Sequence, residues 1–310
     1  MLGVHSGALG DVILFAHLLR GMGGQITLAA SGAKARLLQA CGVVARSIDF
    51  DSLPMHELFS EVPPDKSALA GMLGGYDRLI SCFPAGDTDA AMRLVSMCGA
   101  DQVAFLPVRL PEDSPNHLIE LWADMLGMEG RHFRRQACNP WSVPDSWKAR
   151  AAARLAGLGV GAGEPFLLIH PGAGSPAKCW SLDRFVEVAK AWPKTVFVLG
   201  PAESELWDRA RIEGLRREFG LVACPELEEL AGLLSLSSVV LGNDSGVSHL
   251  GGAIGARTLT LFGPTRCEQF TPLGRHVKSL SAPAMEDITI GAVLDCLESL
   301  QGEGNTSFLP

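Results

Sequence analysis

Short apolar runs alternate along this chain with longer stretches whose apolar positions recur every three or four residues. In the first half, QITLAA (25–30), ARSIDF (45–50), DRLISCF (77–83) and QVAFLP (102–107) read as strands. The segments between them, 11–22, 33–42, 65–75 and 88–99, have helical spacing. Only Met1 to Val4 precede His5, which leaves room for one very short first strand. The second half repeats the alternation. FLLIHPG (166–172), TVFVLG (195–200), SSVVLG (237–242) and RTLTLFG (257–263) are predicted strands that run into Gly or Pro. Helices are predicted between them over 183–192, 203–220 and 226–234. Short apolar strands alternating with helices predict parallel α/β sheets.

The expected architecture is therefore α/β, with two Rossmann-like domains. The stretch 128–165, rich in Arg, Pro, Trp and Gly, is the candidate connection. The expected division is 1–150 and 151–284, followed by a last amphipathic helix over 285–300 and a frayed tail. A length of 310 residues suits two domains, and an apolar content of 47% is enough for two cores.

Charge removes some partners. The net charge is −8, and acidic residues outnumber basic ones in both halves, so nucleic acid is not an expected partner. The dense basic run, Arg131 to Arg135, reads first as a solvated turn or linker and second as a docking patch for an anionic substrate or membrane surface. The eight cysteines are scattered without a CxxC pair, so neither a zinc site nor a disulfide framework is expected. The N-terminal apolar stretch lacks a basic region before it and is preceded by Asp11, unlike a signal peptide. A cytoplasmic location is expected, with peripheral contact at the cytoplasmic face of the inner membrane as a further reading.

Four polar turns fall where strands end, which is where open α/β sheets bind ligands. In HSGALGD, Gly7 and Gly10 allow a tight turn and Asp11 opens a helix. Asp11 is either an N-cap or a general base whose charge the helix dipole supports. In HPGAGSPAKCW, the small residues Ala173, Gly174 and Ser175 suit a backbone cradle for phosphate, with Lys178 as a point charge. It is not a Walker loop, because Ala177 and Cys179 flank the lysine. His170 reads as a packed or hydrogen-bonded histidine. In LGPAESE, Glu203 is either a first-turn acid or a carboxylate for sugar hydroxyls.

The fourth turn, GNDSGVSHLGGAIGA, is not a GxSxG nucleophile elbow, and Asp244 with His249 is too small a set for a metal. A helix amino terminus remains, with the amides of Ser245, Gly246 and Val247 free by helix geometry. His249 lies one turn up the same helix and points towards the same ligand. A diphosphate fits there.

Taken in order, GALGDVIL, HPGAGSPAKCWSLDRF, LGPAE and NDSGVSHLGGAIGARTLTLFGPT resemble the ADP-heptose:lipopolysaccharide heptosyltransferase family, glycosyltransferase family nine. These pieces span most of the chain, and the last is the most specific. The resemblance implies a GT-B fold: two Rossmann-like domains facing across a cleft, with the final helix packing back on the N-terminal domain. It implies an inverting transfer of heptose from ADP-heptose to a hydroxyl of a lipopolysaccharide core or related glycan. Asp11 then matches the general base, Lys178 the phosphate-binding lysine and Glu203 the ribose-binding acid. Asp244, Ser245, Gly246 and His249 match the turn that contacts diphosphate and sugar, with Asp244 capping the helix or taking a sugar hydroxyl.

No obligatory metal is expected, because Lys178 and the helix amides supply positive charge. The implied partners are an ADP-sugar donor and a glycan or lipid-linked glycan acceptor. The first half matches only at its first turn and is slightly acidic, which favours an acceptor other than a heavily phosphorylated one. Two alternatives are a GT-B-like epimerase, which needs further catalytic acids, and a non-catalytic sugar-nucleotide binder, which has no need of Asp11.

Overall fold

The computed structural model describes residues 1–84, 86–111, 113–136 and 138–302. The chain divides into two compact units, Met1–Ala137 and Cys138–Pro310.

The first unit contains β1 (Leu2–Val4), α1 (Leu9–Met22), β2 (Thr27–Ala30), α2 (Gly32–Ala40), β3 (Arg46–Asp49), α3 (Ala68–Leu73) and β4 (Arg78–Ser81). It continues with α4 (Thr88–Cys98), β5 (Gln102–Phe105), α5 (Leu118–Met125) and α6 (Gly130–Gln136). Its five strands are parallel in the order β3-β2-β1-β4-β5. The short first strand is thus the central one, with Leu2 paired to Thr27 on one side and Leu79 on the other. Leu2 and Val4 share one face of this strand and are fully buried, while Gly3 lies on the other. Residues Val12 to Leu19 of α1 are buried all round the helix. Phe15 meets Trp122 of α5 edge-on, with ring centroids 6.0 Å apart. Gly3 permits the close approach of α1 to β1, since a Cβ there would lie 2.4 Å from Leu19 Cδ1.

The second unit contains α7 (Asp145–Gly157), β6 (Leu167–His170), α8 (Leu182–Lys190), β7 (Thr195–Leu199), α9 (Pro201–Leu206), α10 (Arg209–Glu218) and β8 (Gly220–Ala223). Then come α11 (Leu227–Leu236), β9 (Val239–Asn243), α12 (Gly246–Ala253), β10 (Thr258–Phe262), α13 (Cys267–Phe270), β11 (Val277–Ser281) and α14 (Ile290–Gly302). Six parallel strands lie in the order β11-β10-β9-β6-β7-β8. That is the doubly wound Rossmann order, with its switch between β6 and β9.

Several expectations change. The division falls at 137/138 rather than 150/151, because α7 runs unbroken through 150 and packs on α11 of the second unit. Their contact is tight: a Cβ on Gly232 would lie 2.6 Å from the Trp147 carbonyl oxygen. Arg131 to Arg135 are not a linker but part of α6, where Phe133 is buried and Arg134 pairs with Glu120 at 3.2 Å. The single helix expected over 203–220 is two helices and a strand. Asp208 caps α10 by accepting from the Arg211 amide at 2.8 Å, which sets a new helix start. The last helix buries Val293, Leu297 and Leu300 in the core of the second unit. Its apolar stripe is used there, over α8, β9, β10 and β11. Of the expected frayed tail, residues 301 and 302 end α14, and the rest lies outside the described residues. Among the described residues, no helix is long and apolar enough to cross a membrane.

Candidate functional site

Each unit carries polar residues at the carboxyl ends of its central strands. In the first unit, β1 and β4 are neighbours whose chain connections diverge, so the turn after β1 lies at a switch point. The turn is built around His5, which is almost fully buried and whose ring lies tilted against Phe15, with centroids 5.3 Å apart. Its Nδ1 accepts from the Gly7 amide at 2.9 Å. Lys34 Nζ donates to the Gly7 carbonyl at 2.7 Å. Burial, with the nearby Lys34 charge, pushes the His5 imidazole down to about 4. It is therefore neutral at physiological pH, as its role as an acceptor requires.

Asp11 is not an N-cap. Ala8 holds that position, and Asp11 is the third residue of α1. Its first-turn location still gives its carboxylate the favourable end of the helix dipole. A Cβ on Gly7 would lie 2.5 Å from His5 Cε1 and 3.3 Å from Asp11 Oδ2, so glycine is what lets this turn fold against both side chains. Cys82, just beyond β4, has its thiol pushed up to about 12 by burial and by the Asp11 carboxylate. Asp11 thus lies at the switch point with a neutral histidine and a protonated thiol beside it.

In the second unit, the loops after β6 and β9 meet. Lys178 ends a short 3-10 turn, Pro176–Lys178, and its Nζ donates to Asp244 Oδ2 at 2.7 Å. Asn243 joins the same two loops from beneath. Its Oδ1 accepts from the Trp180 amide at 3.1 Å, and its Nδ2 donates to the Pro171 carbonyl at 2.8 Å. Its own carbonyl accepts from Ser248 Oγ at 2.7 Å. Asn243 is fully buried, and sequence reasoning assigned it no role. The signal was its place before Asp244 at a strand end, where an amide can satisfy two loops at once.

The amino end of α12 is capped by Ser245, with extended φ and ψ and no side-chain cap bond. Asp244 is not the cap, because the helix begins one residue later than a cap at 244 requires, and its carboxylate is held by Lys178. Helix geometry leaves the amides of the first turn without intrahelical acceptors. Among the described residues, two buried polar atoms here also lack a partner: Ser245 Oγ and His249 Nδ1. Buried polar groups are nearly always satisfied, so these atoms suit a polar ligand. Burial, reinforced by Lys178 and opposed by Asp244, lowers His249 to about 4, so it offers a neutral imidazole rather than a charge.

Glu203 also reaches this end of the sheet. Its Oε2 accepts from the Gly200 amide at 2.8 Å, so the first-turn capping role is real. Its Oε1 lies against Gly172, where a Cβ would approach to 2.0 Å. Gly172 is therefore the glycine this loop needs. Gly174 has open space around it, and Ala173 and Ser175 are partly exposed along the same loop. His170 is buried, and its Nδ1 lies 3.0 Å from the Val198 carbonyl oxygen, in keeping with a hydrogen-bonded histidine. Burial lowers its pKa, against the opposing effects of that hydrogen bond and the Glu203 charge.

The structure thus brings 170–180, Glu203 and 243–249 together in one unit, and carries Asp11 in the other. Among the described residues, no group of three or more His, Cys, Asp or Glu is placed to hold a metal ion.

Solved structures share this fold. The glycosyl transferase family 9 protein from Veillonella parvula DSM 2008 superposes with a TM-score of 0.76 at 18% identity, covering 97% of each chain. The E. coli ADP-heptose lps heptosyltransferase II gives 0.73 at 17% identity, covering 98% of this chain and 99% of its own. The E. coli heptosyltransferase WaaC with ADP gives 0.65 at 19% identity, covering 96% of this chain and 99% of its own. The fold is accordingly GT-B, with two Rossmann-like units. No curated protein matches by sequence. The family profile described as Glycosyltransferase family 9 (heptosyltransferase) matches residues 128–294. That segment is more than half of the chain and contains both loops that meet at Lys178 and Asp244, and on this match the chain belongs to glycosyltransferase family 9, the heptosyltransferase family, and is a glycosyltransferase.

Proposed function

We propose that this glycosyltransferase moves a heptose from ADP-heptose to a hydroxyl of a lipopolysaccharide core or related glycan, with inversion. The observation that carries the donor half is the meeting of Lys178 with the amino end of α12 at the β6/β9 switch point. A diphosphate there takes the Lys178 ammonium in place of Asp244 and accepts from the amides of the first turn. Ser245 Oγ and His249 Nδ1 gain the partner they lack. Glu203 keeps Oε2 on its cap and turns Oε1 to the ribose hydroxyls. Asp244, released from Lys178, accepts from a hydroxyl of the transferred sugar. The names of the solved relatives, which include ADP-heptose and heptosyltransferase, support the donor class.

In the reaction, the acceptor oxygen attacks the anomeric carbon and Asp11 takes its proton. The bond to ADP breaks, and the electron pair leaves on the diphosphate. Lys178 and the α12 amides stabilise that growing charge, so the proposed mechanism needs no obligatory metal. The acceptor is a glycan or lipid-linked glycan, and the protein works in the cytoplasm with peripheral contact at the inner membrane.

The test is incubation with ADP-heptose and a panel of truncated core glycans, following ADP release and acceptor mass. A mass gain of one heptose with ADP release is expected. ADP binding without turnover on any acceptor would favour a non-catalytic binder, and release of a free or epimerised sugar would favour the other enzyme class.

A further inference from the structure

We propose that the amino-terminal end of the second sheet holds a separate binding pocket for a phosphate ester. A cavity of about 580 Å³ opens there, between the carboxyl ends of α7, α8 and α10 and the starts of β7 and β8. It lies at the end of the strands opposite to Lys178 and Asp244. Its walls carry Lys190, Lys194, Arg216 and Arg217 against one acid, Glu218, with Trp192 as a flat apolar surface.

The charge is not accounted for by ion pairing. Lys190 pairs with Glu218 at 3.3 Å and Arg216 with Glu213 at 2.8 Å. Among the described residues, Lys194 and Arg217 take part in no ion pair. Helix carboxyl ends favour cations, which explains some of this cluster. Each end contributes only about half a negative charge. Three such ends and Glu218 together amount to about 2.5 negative charges, against four lining cations. Lys194, moreover, precedes β7 and belongs to no helix.

A positive recess on a chain of net charge −8 draws anions by local field rather than by overall charge. The volume falls within the range of about 300–1,000 Å³ for small-molecule sites. A phosphate offers several oxygens to the Arg217 fork and the Lys194 ammonium together, which a single carboxylate does less well. Trp192 then faces the organic part of the ester.

The probe is inorganic pyrophosphate, titrated calorimetrically into the full chain carrying Lys178→Ala, which cripples the proposed donor site and keeps the two questions apart. Saturable binding is expected. Adding Lys194→Ala and Arg217→Ala should weaken it at least about tenfold, the loss of one charge-assisted hydrogen bond or more. Neither side chain is buried, and circular dichroism checks that the variant is folded. No binding to the Lys178→Ala protein, or binding that the added substitutions leave unchanged, overturns the proposal. Vesicles containing phosphatidylglycerol separate the sources of the phosphate. Co-sedimentation lost on substitution of Lys194 and Arg217 assigns a lipid headgroup, and pyrophosphate binding without co-sedimentation assigns a free phosphate ester.

Discussion

Lys178 Nζ lies 2.7 Å from Asp244 Oδ2, so a cation from the loop after β6 and a carboxylate from the loop after β9 hold each other at the switch point of the second sheet. The Asp244 side chain is only 9% exposed, whereas that of Lys178 is 35% exposed and can be reached from solvent. An arriving diphosphate competes with Asp244 for the lysine. Lys178→Ala should therefore weaken ADP binding by about 1.5–3 kcal/mol, the range for a hydrogen bond to a charged group. Calorimetric titration measures it, and an unchanged dissociation constant removes Lys178 from the donor site.

Asn243 holds the frame in which that pair sits. Asn243→Ala leaves the Trp180 amide and the Pro171 carbonyl without their side-chain partner in a fully buried place. Each unsatisfied group costs about 1–3 kcal/mol, so a loss of stability of several kcal/mol is expected. ADP affinity should fall with it, because Trp180 closes the loop that carries Lys178. Urea unfolding gives the first quantity. A variant as stable as the parent would show that water satisfies both groups and that Asn243 is not the brace.

Asp11→Asn tests the other unit. The amide keeps the size and the place in the first turn of α1 but cannot take a proton. Turnover should drop by at least about a hundredfold, the low end of general-base contributions, while the dissociation constant for ADP stays the same. Steady-state rates beside ADP titration separate the two. Near-normal turnover would mean that another group, or water, accepts the proton.

Acid should destabilise both units before it titrates most carboxylates. His5 and His249 fall from 6.5 to about 4 in the folded protein, both chiefly through burial. The unfolded chain binds their protons first, so stability is full above about pH 6.5 and declines as pH falls towards about 4. Each histidine contributes up to about 3 kcal/mol over that window. Urea melts from about pH 7 to about pH 4.5 would reveal the slope, and His249→Asn should flatten part of it. A midpoint that does not move over this range would contradict the burial of both imidazoles as neutral groups.

The alternation of apolar strands and helical stretches, a local property, was enough to predict two parallel α/β units. It also located the polar loops at the strand ends, because Gly, Pro and polar residues gather where a strand must turn. Lys178, Glu203, Ser245, Gly246 and His249 stood out as candidates on those grounds, and the motifs around them carried the family resemblance. What periodicity could not reach were elements whose stability comes from their neighbours. β8 and β11 are short edge strands, and β8 directly follows α10, so the helical pattern ran across its start. The seat of α14 depended on which core had room for Val293, Leu297 and Leu300.

The same limit applied inside the site. Sequence spacing put Asp244 near the start of a helix, but only the fold brought Lys178 across 66 positions to pair with it and left Ser245 as the cap. Asn243 as a brace and Gly172 as the space for Glu203 are likewise relations between distant segments. Local patterning dictates which backbone a segment prefers and which side chains it can offer. Contacts between segments are set when the sheet orders its strands, because burial then decides which polar groups must satisfy one another.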